Sequence, residues 1–360
     1  MLLENVRLAN FRNYVSLDVE PAPGLNIFYG ANAQGKSNFL EAIAMLATGK
    51  SFRAHREAEL VRTGAALAEI GAEARIAAGR VRLRCAIDRT AGGTRKTFDV
   101  NGAAVGFARF LGRARVVTFV PADLALVSGG PAVRRTFLNV ALAQASAAYY
   151  RDLARYQKTI AQKAALLRGA VAPDRDLLLT YNDELARPGR ALMAARASFA
   201  TDLAVAVAQI YGRWSATRER VEVRYAPNAG EEDLAQALAA NVEHELRRRQ
   251  TLIGPHRDDL RLELEGRPLA AYGSQGQQRT AVLALKVAEY EVMRARAGDA
   301  PILLLDDVLS ELDAQRAGGF LAALGSFEQA FLTTTELPHG FAPAMTAFCV
   351  REGRVARREC

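Results

Sequence analysis

The sequence predicts an α/β fold in which strand-rich and helix-rich regions follow one another along the chain. Strand patterns surround one helix in roughly the first 120 residues, and long helical patterns follow to about residue 211. Near the end of the chain, apolar strands again alternate with helices. A glycine-rich turn, Gly30–Ser37, lies between a short apolar strand and an amphipathic helix. With 360 residues, the chain is long enough for more than one domain.

The first region is predicted to be mostly β-structure. Alternating or continuous apolar runs predict strands, and the Asn101–Gly102 dipeptide between two short runs predicts a two-residue hairpin. The predicted strands of this region are 6–11, 15–19, 25–29, 81–87 and 116–120. The helix after the glycine-rich turn covers residues 38–47, with its apolar side chains on one face.

The middle region predicts a helical subdomain rich in Ala, Leu and Arg, with breaks at 169–174 and 188–189. The strands predicted after it are 221–225, 260–264, 302–305, 330–333 and 347–350. We divide the chain into an N-terminal part, residues 1–120, a mainly helical part, 121–250, and a C-terminal part, 251–360.

Composition limits the function classes. The net charge of +8 and the pI of about 9.6 favour a polyanionic partner, nucleic acid foremost. The three cysteines, Cys85, Cys349 and Cys360, form neither a metal-site pattern nor a disulfide framework. Because no long charge-free apolar run or signal-peptide start is present, we expect a cytoplasmic protein without a membrane span.

The glycine-rich turn matches the pattern GxxxxGK[ST] in the strand–turn–helix context that a phosphate-binding loop needs. Backbone N–H groups and the helix N-terminus are expected to face a triphosphate. Lys36 is expected to reach the β- and γ-phosphates as a catalytic residue, and the Ser37 hydroxyl to bind Mg²⁺. The expected nucleotide contacts are Gly30, Ala31, Asn32, Ala33, Gln34, Gly35, Lys36 and Ser37.

A second half of the nucleotide site is predicted at residues 302–307. Four apolar residues form a buried strand that ends in Asp306 and Asp307, which is a Walker B arrangement. Asp306 is the expected metal-side carboxylate, and Asp307 is expected to polarise or deprotonate the attacking water. The alternative is a strand whose acidic end simply faces solvent.

A polar glycine turn, residues 272–280, opens another amphipathic helix and has two interpretations. Ser274, Gly276 and Gln277 form a second anion-binding surface, or Ser274 is an ordinary N-cap. The segment 310–313, which reads Ser-Glu-Leu-Asp, closely follows the Walker B strand.

The order of these four motifs resembles that of ABC-type ATPases: Walker A, signature, Walker B and D-loop. In that class the signature turn completes the site of a second subunit. The resemblance therefore implies that Ser274, Gly276, Gln277 and Asp313 contact the ATP held by a partner copy. ATP would stabilise a head-to-tail homodimer, and its hydrolysis would release the dimer.

Further blocks resemble the RecF family of DNA replication and repair proteins. The blocks that carry this resemblance are 6–14, 30–43, 50–53, 129–138, 251–259, 274–279 and 303–313. They extend over nearly the whole chain. The resemblance implies an ABC/SMC-head-like P-loop ATPase lobe, built from both chain ends, with an α-helical lobe inserted between them.

The same resemblance implies cofactors and partners. The cofactors are ATP and Mg²⁺, and turnover is expected to be slow. The partners are double-stranded DNA, bound without sequence preference and with gaps or junctions favoured, and the mediators RecO and RecR. Together they would load the recombinase onto gapped DNA.

Several residues keep two interpretations. Thr333–Thr335 either orient a γ-phosphate or cap a turn, and Arg53 either approaches the nucleotide or is a surface arginine. His256 fits catalysis or a salt-bridged loop, and Arg247–Arg249 fit a solvated helix end or a DNA contact. Many ABC ATPases have Glu after the Walker B Asp, so the shorter Asp307 predicts slow hydrolysis.

Three other functions compete with this interpretation. A transporter ATPase subunit would not need the basic charge or the 237 positions between Ser37 and Ser274 (274 − 37). A nucleotide kinase would not need the glycine turn at 272–280. A non-hydrolysing scaffold would not need Asp307.

Overall fold

A computed structural model describes residues 1–169, 174–214, 219–230, 234–308, 327–337 and 345–358. The chain divides into two compact units. The first unit combines Met1–Asp123 with Glu289–Cys360, and the second unit is Leu124–Ala288. The α/β fold class is therefore built from both chain ends, with a largely helical unit in between.

The strands are numbered along the chain. They are β1 (Leu2–Phe11), β2 (Tyr14–Val19), β3 (Gly24–Tyr29), β4 (Leu67–Ile76), β5 (Gly79–Thr90), β6 (Gly93–Val100), β7 (Ala103–Val105), β8 (Val116–Phe119), β9 (Val221–Ala226), β10 (Asp259–Leu264), β11 (Arg267–Pro268), β12 (Ile302–Asp306), β13 (Gln329–Thr334), β14 (Thr346–Arg351) and β15 (Arg354–Arg357).

The α-helices are numbered in the same way. They are α1 (Lys36–Thr48), α2 (Phe107–Phe110), α3 (Ala125–Ser128), α4 (Pro131–Ala145), α5 (Ala147–Arg168), α6 (Arg175–Trp214), α7 (Leu234–Ala240), α8 (Val242–Arg248), α9 (Leu269–Tyr272) and α10 (Gln275–Ala297). Two 3₁₀ turns, Glu57–Leu60 and Pro121–Leu124, complete the described elements.

The first unit contains two six-stranded sheets. One is antiparallel, in the order β2-β1-β4-β5-β6-β7. The other has the order β15-β14-β3-β13-β12-β8, with all pairs parallel except β15–β14. Helix α1 contacts strands of both sheets and is buried along most of its length. An apolar helix of this kind is stable only between two packed layers.

Aromatic rings fix α1 against the parallel sheet. Phe39 of α1 stacks on Phe28 of β3 with 4.4 Å between ring centroids, and Phe28 stacks on Phe348 of β14 at 4.7 Å. Because β3, β12 and β13 are parallel neighbours or near neighbours, their carboxyl ends lie at one edge of the sheet. The glycine-rich turn, the Walker B carboxylates and the threonine run all follow those ends.

The second unit is described by itself. Helix α6 contacts α5, α7, α8 and β9, and β11-β10-β9 form a small antiparallel sheet. The predicted hairpin at Asn101–Gly102 and the predicted break near residue 170 are confirmed, because β6 pairs with β7 and α5 ends at Arg168. The predicted break at 188–189 is wrong. Helix α6 continues through Pro188, and Gly189 lies so close to Leu234 and Tyr156 that an added Cβ atom would be 2.6 Å and 3.3 Å from their side chains.

The domain boundaries also differ in one place. The first lies close to the expected residue 120, but the second falls inside α10 and not at residue 250. Residues 251–288 belong to the second unit because Asp258 and Asp259 form ion pairs with Arg196 and Arg134 of its helices. Strand β10 also pairs with β9 along its whole length.

One described helix, α6, is long and apolar enough to cross a membrane by length and composition. Buried core helices of folded units pass the same test. Within the second unit α6 contacts four helices and β9, and its buried face packs there.

Candidate nucleotide-binding site

The glycine-rich turn has a backbone that only glycine tolerates at two positions. Gly30 has φ 147° and Gly35 has φ 119°. A Cβ atom on Gly30 would lie 2.4 Å from the Val350 carbonyl oxygen, and one on Gly35 would lie 2.7 Å from Asn13 Nδ2. The turn is therefore closely surrounded by backbone and by Asn13, and larger residues at these two positions would displace it.

Helix α1 begins at Lys36 directly after this turn. Its N-terminus has no side-chain cap and no acidic residue in the first turn. The first N–H groups of a helix carry partial positive charge and bind anions when no side chain occupies them. Residues 30–37 thus form a cradle that fits the phosphate chain of a nucleotide, with Ser37 half-buried at its helical end.

Lys36 lies over the turn. Its Nζ donates hydrogen bonds to the carbonyl oxygens of Gly30 at 2.6 Å and Ala31 at 2.8 Å. Burial lowers the pKa of Lys36, and the negative charges of Asp307 and Asp306 act in the opposite direction. The structure therefore brings the Walker A lysine and the two Walker B carboxylates into one electrostatic site.

Thr333 organises the Walker B carboxylates. This buried residue of β13 is paired in register with Asp306 of β12. Its hydroxyl donates to Asp306 Oδ1 at 2.8 Å and accepts from the backbone N–H of Asp307 at 2.9 Å. Asp307 has φ 54°, a conformation rare outside glycine. One hydroxyl therefore fixes both the Asp306 carboxylate and the unusual backbone of Asp307.

These contacts add a third role for Thr333 to the two interpretations that the sequence left open for the threonine run. Thr333 is bound to the Walker B segment, whereas Thr335 is exposed. The pairing register of β12 with β13 is what reveals this contact, and no local sequence signal gives that register.

Two neighbouring turns support the glycine-rich turn through Gln34. The Gln34 carbonyl oxygen accepts from Asn13 Nδ2 at 2.8 Å and from the Gly353 N–H at 3.1 Å. Gln34 Oε1 accepts from the Glu352 N–H at 2.7 Å, and the Tyr14 hydroxyl donates to the Gly35 carbonyl at 2.9 Å. Sequence reasoning did not identify these supporting contacts.

Arg53 is held beside α1 by a buried carboxylate. Glu41, with no exposed surface, accepts from Arg12 Nε at 2.8 Å and from the Ser51 hydroxyl. Ser51 Oγ in turn accepts from the Arg53 N–H at 2.9 Å. The guanidinium of Arg53 donates to Asn38 Oδ1 at 3.2 Å, one residue beyond Ser37.

The signature turn lies in the second unit and forms a capping box at the start of α10. Ser274 Oγ accepts from the Gln277 N–H at 3.2 Å, and Gln277 Oε1 accepts from the Ser274 N–H at 2.6 Å. Gln277 Nε2 also donates to Glu219 at 2.7 Å. The N-cap interpretation of Ser274 is therefore correct. The trans role of Ser274, Gly276 and Gln277 stays a prediction, and Asp313 with segment 310–313 lies outside the described residues.

The block 251–259 is a structural loop. Asp258 is fully buried and accepts from Arg196 Nη1 at 3.1 Å, from the Tyr225 hydroxyl and from the Asn228 N–H. His256 Nδ1 shares a hydrogen bond of 2.8 Å with the Tyr156 hydroxyl, and burial lowers the pKa of His256 to about 4. These contacts agree with the salt-bridged-loop interpretation of His256.

Among the described residues, no group of three or more His, Cys, Asp or Glu side chains could hold a metal ion. The predicted Mg²⁺ site would use one hydroxyl and one carboxylate from the protein and phosphate oxygens for other positions. Ser37 and Asp306 remain the predicted metal ligands.

Comparison with known proteins agrees with this geometry. The family described as "RecF/RecN/SMC N terminal domain" matches residues 2–339. The chain is 40% identical to the "DNA replication and repair protein RecF" of Symbiobacterium thermophilum, over 94% of this chain and 92% of that protein. It is also 40% identical to the protein of that name from Chloroflexus aurantiacus, over 99% of both chains.

Solved structures give the same result. The recombination mediator protein RecF with ATP, from the RecFOR pathway, is similar with a TM-score of 0.90 and 31% identity, covering 99% of this chain and 97% of that chain. The Smc head domain of Pyrococcus furiosus has a TM-score of 0.59 at 16% identity, covering 99% and 96%, which shows the fold alone. The ABC/SMC-head-like fold class is thus confirmed. The chain belongs to the RecF family of DNA replication and repair proteins.

Proposed function

We propose that this protein is a slow ATPase that dimerises on ATP and binds DNA in recombinational repair, together with RecO and RecR. The observation that carries the proposal is the convergence of Lys36, Asp306 and Asp307 at the open N-terminus of α1. Relatives that bear the RecF name, one of them solved with ATP in the RecFOR pathway, support the same function.

The residues of the site divide the work of binding and hydrolysis. The N–H groups of residues 30–37 bind the phosphate chain, and Lys36 exchanges its two carbonyl contacts for the β- and γ-phosphates. Bound Mg²⁺ supplies charge neutralisation on those phosphates, held on the protein side by Ser37 and Asp306. Thr333 keeps the Asp306 carboxylate in one orientation.

Asp307 is the general-base candidate. The left-handed backbone at Asp307 and the bond from its N–H to Thr333 fix the direction of its short side chain. Asp is one methylene shorter than Glu. Asp307 can therefore contact an attacking water only if the backbone at residue 307 comes closer to that water. We therefore expect turnover to be slow, as suits a timed clamp.

Dimerisation follows from the division of the motifs. The phosphate cradle belongs to the first unit, and the signature turn belongs to the second unit, where it is exposed to solvent. In the proposed head-to-tail dimer, the Ser274–Gln277 helix terminus of one copy caps the γ-phosphate held by the other. ATP stabilises the dimer because it binds the closed pair more tightly than the separate copies.

DNA binding is supported by the net charge of +8 and by family membership. Contacts with the phosphate backbone carry affinity without reading sequence. The cytoplasm is the compartment in which this function would operate. The matching family model groups RecF, RecN and SMC proteins and is not a transporter family, which disfavours a transporter subunit.

The test is the binding of fluorescent gapped duplex DNA, measured by anisotropy with ATP, with ADP and without nucleotide. We expect tight binding only with ATP, and an affinity that falls steeply between 50 and about 200 mM salt. Equal affinity in all three nucleotide conditions would contradict ATP gating, and salt-insensitive binding would contradict backbone recognition.

A further inference from the structure

Helix α5 of the second unit has one face that is basic and free of acidic residues. We define the α5 basic face by three exposed side chains, Arg151, Arg155 and Lys158. They stand at positions i, i+4 and i+7, so they lie on one side of the helix and span about 10 Å along its axis. Gln162, at i+11, continues the same line.

The opposite side of α5 is the buried side. Its buried residues are Tyr149, Leu153, Tyr156, Thr159, Lys163 and Leu167. The face is therefore fixed in orientation, because rotation of α5 would expose these residues, including the buried ion pair of Lys163 with Glu245. The basic side chains must point to solvent in the folded second unit.

The three cations of this face have no ion pair and no side-chain hydrogen bond within the described part of the chain. The acidic residues beside them are the half-buried Asp152 of α5 and Glu184 of α6, whose carboxylate accepts from the Thr159 hydroxyl at 3.3 Å. Neighbouring α6 differs, since its exposed surface mixes Asp183 with arginines. An isolated helix face of like charge is destabilising by itself, so an anionic partner is the natural complement.

Apart from the C-terminal Arg168, the remaining exposed residues of α5 are neutral. They are Ala147, Ala148, Ala154, Gln157, Ala161, Gln162 and Ala165. Arg168 has a separate reason to be basic, because a cation at a helix C-terminus is stabilised by the helix dipole. Alanines between the cations allow a phosphate backbone to approach the helix closely, whereas long side chains would hold it away.

We propose that the α5 basic face is a binding surface for the phosphate backbone of duplex DNA. The proposal rests on the DNA-binding function proposed above and adds the place of contact. Duplex DNA fits because its charges are closely spaced, one per about 1.7 Å of helix axis, so three cations within about 10 Å all meet phosphates. Flexible Arg and Lys side chains on a helix can contact the phosphates of the DNA backbone without contacting base edges, so this surface would bind DNA without sequence preference.

The experiment compares salt dependence of DNA binding for the ATP-loaded full-length protein. The variant is the triple Arg151→Gln, Arg155→Gln, Lys158→Gln. We expect the slope of log K against log salt to fall by two to three, at about 0.9 per lost phosphate contact, with affinity down on the order of 10²-fold at 0.1 M salt. ATP binding and helix content of the triple should match the wild type.

The matched control removes the same charge elsewhere. Arg62, Arg95 and Arg109 are exposed arginines of the first unit, and among the described residues none of their side chains has an ion pair. The variant in which all three are replaced by Gln should have a slope of log K against log salt that differs from the wild-type slope by less than about one. A gain variant, Gln162→Arg, should raise the slope by about 0.9, and it remains informative even if the triple Gln variant of α5 folds poorly.

The outcomes separate the two proposals. A smaller slope of log K against log salt in the α5 triple variant, with an unchanged slope in the control variant, supports DNA binding by the α5 basic face. If the wild type binds DNA and the α5 triple behaves like the control, the assignment is wrong and an acidic protein becomes the candidate for this face. If the wild type with ATP binds no DNA, both this inference and the proposed function fail.

Discussion

The phosphate cradle of the first unit and the signature turn of the second unit are both helix N-termini, but they are built differently. At α1 no side chain caps the helix, and the cradle is instead supported from behind by Gln34 and its neighbours. At α10 the Ser274–Gln277 capping box bonds the N–H groups of Ser274 and Gln277, and Glu219 accepts from the Gln277 side chain. The first terminus has no side-chain cap, and the second has two of its N–H groups bonded by its own side chains.

This difference indicates that the N-terminus of α1 serves ATP binding and the N-terminus of α10 serves dimerisation. The open cradle, with Lys36 and two carboxylates in one electrostatic site, has the parts to bind ATP in a single chain. We therefore expect nucleotide binding to survive changes at α10, and dimerisation to be lost.

The largest effect is expected at the open terminus. Lys36→Met removes the cation that contacts the phosphates, and ATP hydrolysis should fall on the order of 10²–10³-fold, as for loss of one catalytic charge donor. Phosphate release assays and ATP titration measure this. The control is Lys50→Met, an exposed lysine just after α1. Wild-type turnover in Lys36→Met would refute its assigned contact.

Asp307→Asn separates binding from hydrolysis. The variant keeps the shape of the side chain but removes the base, so ATP should bind normally while kcat falls about 10²-fold. The ATP-dependent dimer should then live longer, which is measured as its dissociation rate after dilution. Normal hydrolysis in this variant would remove Asp307 from the mechanism.

Thr333→Val and Thr333→Ser test how the Walker B segment is positioned. Valine keeps the volume of Thr333 but leaves the buried Asp306 carboxylate and the Asp307 N–H without their shared partner. We expect about tenfold slower hydrolysis and a shift of the Mg²⁺ titration to higher concentration. Thr333→Ser keeps the hydroxyl, so its hydrolysis rate and its Mg²⁺ titration should both stay close to those of the wild type. Equal behaviour of the two variants would mean that only packing matters at this position.

A smaller effect concerns the second unit and pH. Burial lowers the pKa of His256 to about 4, below its value of about 6.5 in an unfolded chain. The neutral ring therefore stabilises the fold fully above pH 6.5, and this contribution is lost as the pH falls from 6.5 towards 4. Between pH 7 and 5 the loss is about 2 kcal/mol.

Urea unfolding of the wild type and His256→Gln at both pH values measures this difference. The variant should show a correspondingly smaller loss on acidification, because it has no ring to protonate. An identical pH dependence for the two proteins would show that His256 does not titrate in this range.

Much of the first unit could be predicted from sequence because its signals are local. The Gly30–Ser37 pattern, the apolar run before Asp306 and the Asn101–Gly102 hairpin each depend on neighbours in sequence, and the structure has them as expected. The role of Thr333 was not predicted, since it depends on the register between two strands that are far apart in the chain.

The second unit shows where local signals fail. Pro188–Gly189 predict a helix break, but α6 continues through both residues, which are buried in the second unit. The second unit extends to Ala288, beyond the expected boundary at residue 250, and the ion pair of Asp258 with Arg196 joins segments that no sequence pattern connects. Local composition predicts elements, whereas long-range pairs decide which unit they join.

The central claim is that ATP held by one copy is capped by the signature turn of another. Analytical ultracentrifugation with and without Mg·ATP tests it most directly, on wild type, Ser274→Arg and the control Ser16→Arg, an exposed serine of β2. We expect wild type and the control to become dimers with ATP, and Ser274→Arg to bind ATP but stay monomeric. A Ser274→Arg protein that dimerises like wild type, or a wild type that stays monomeric at every concentration, would contradict the account.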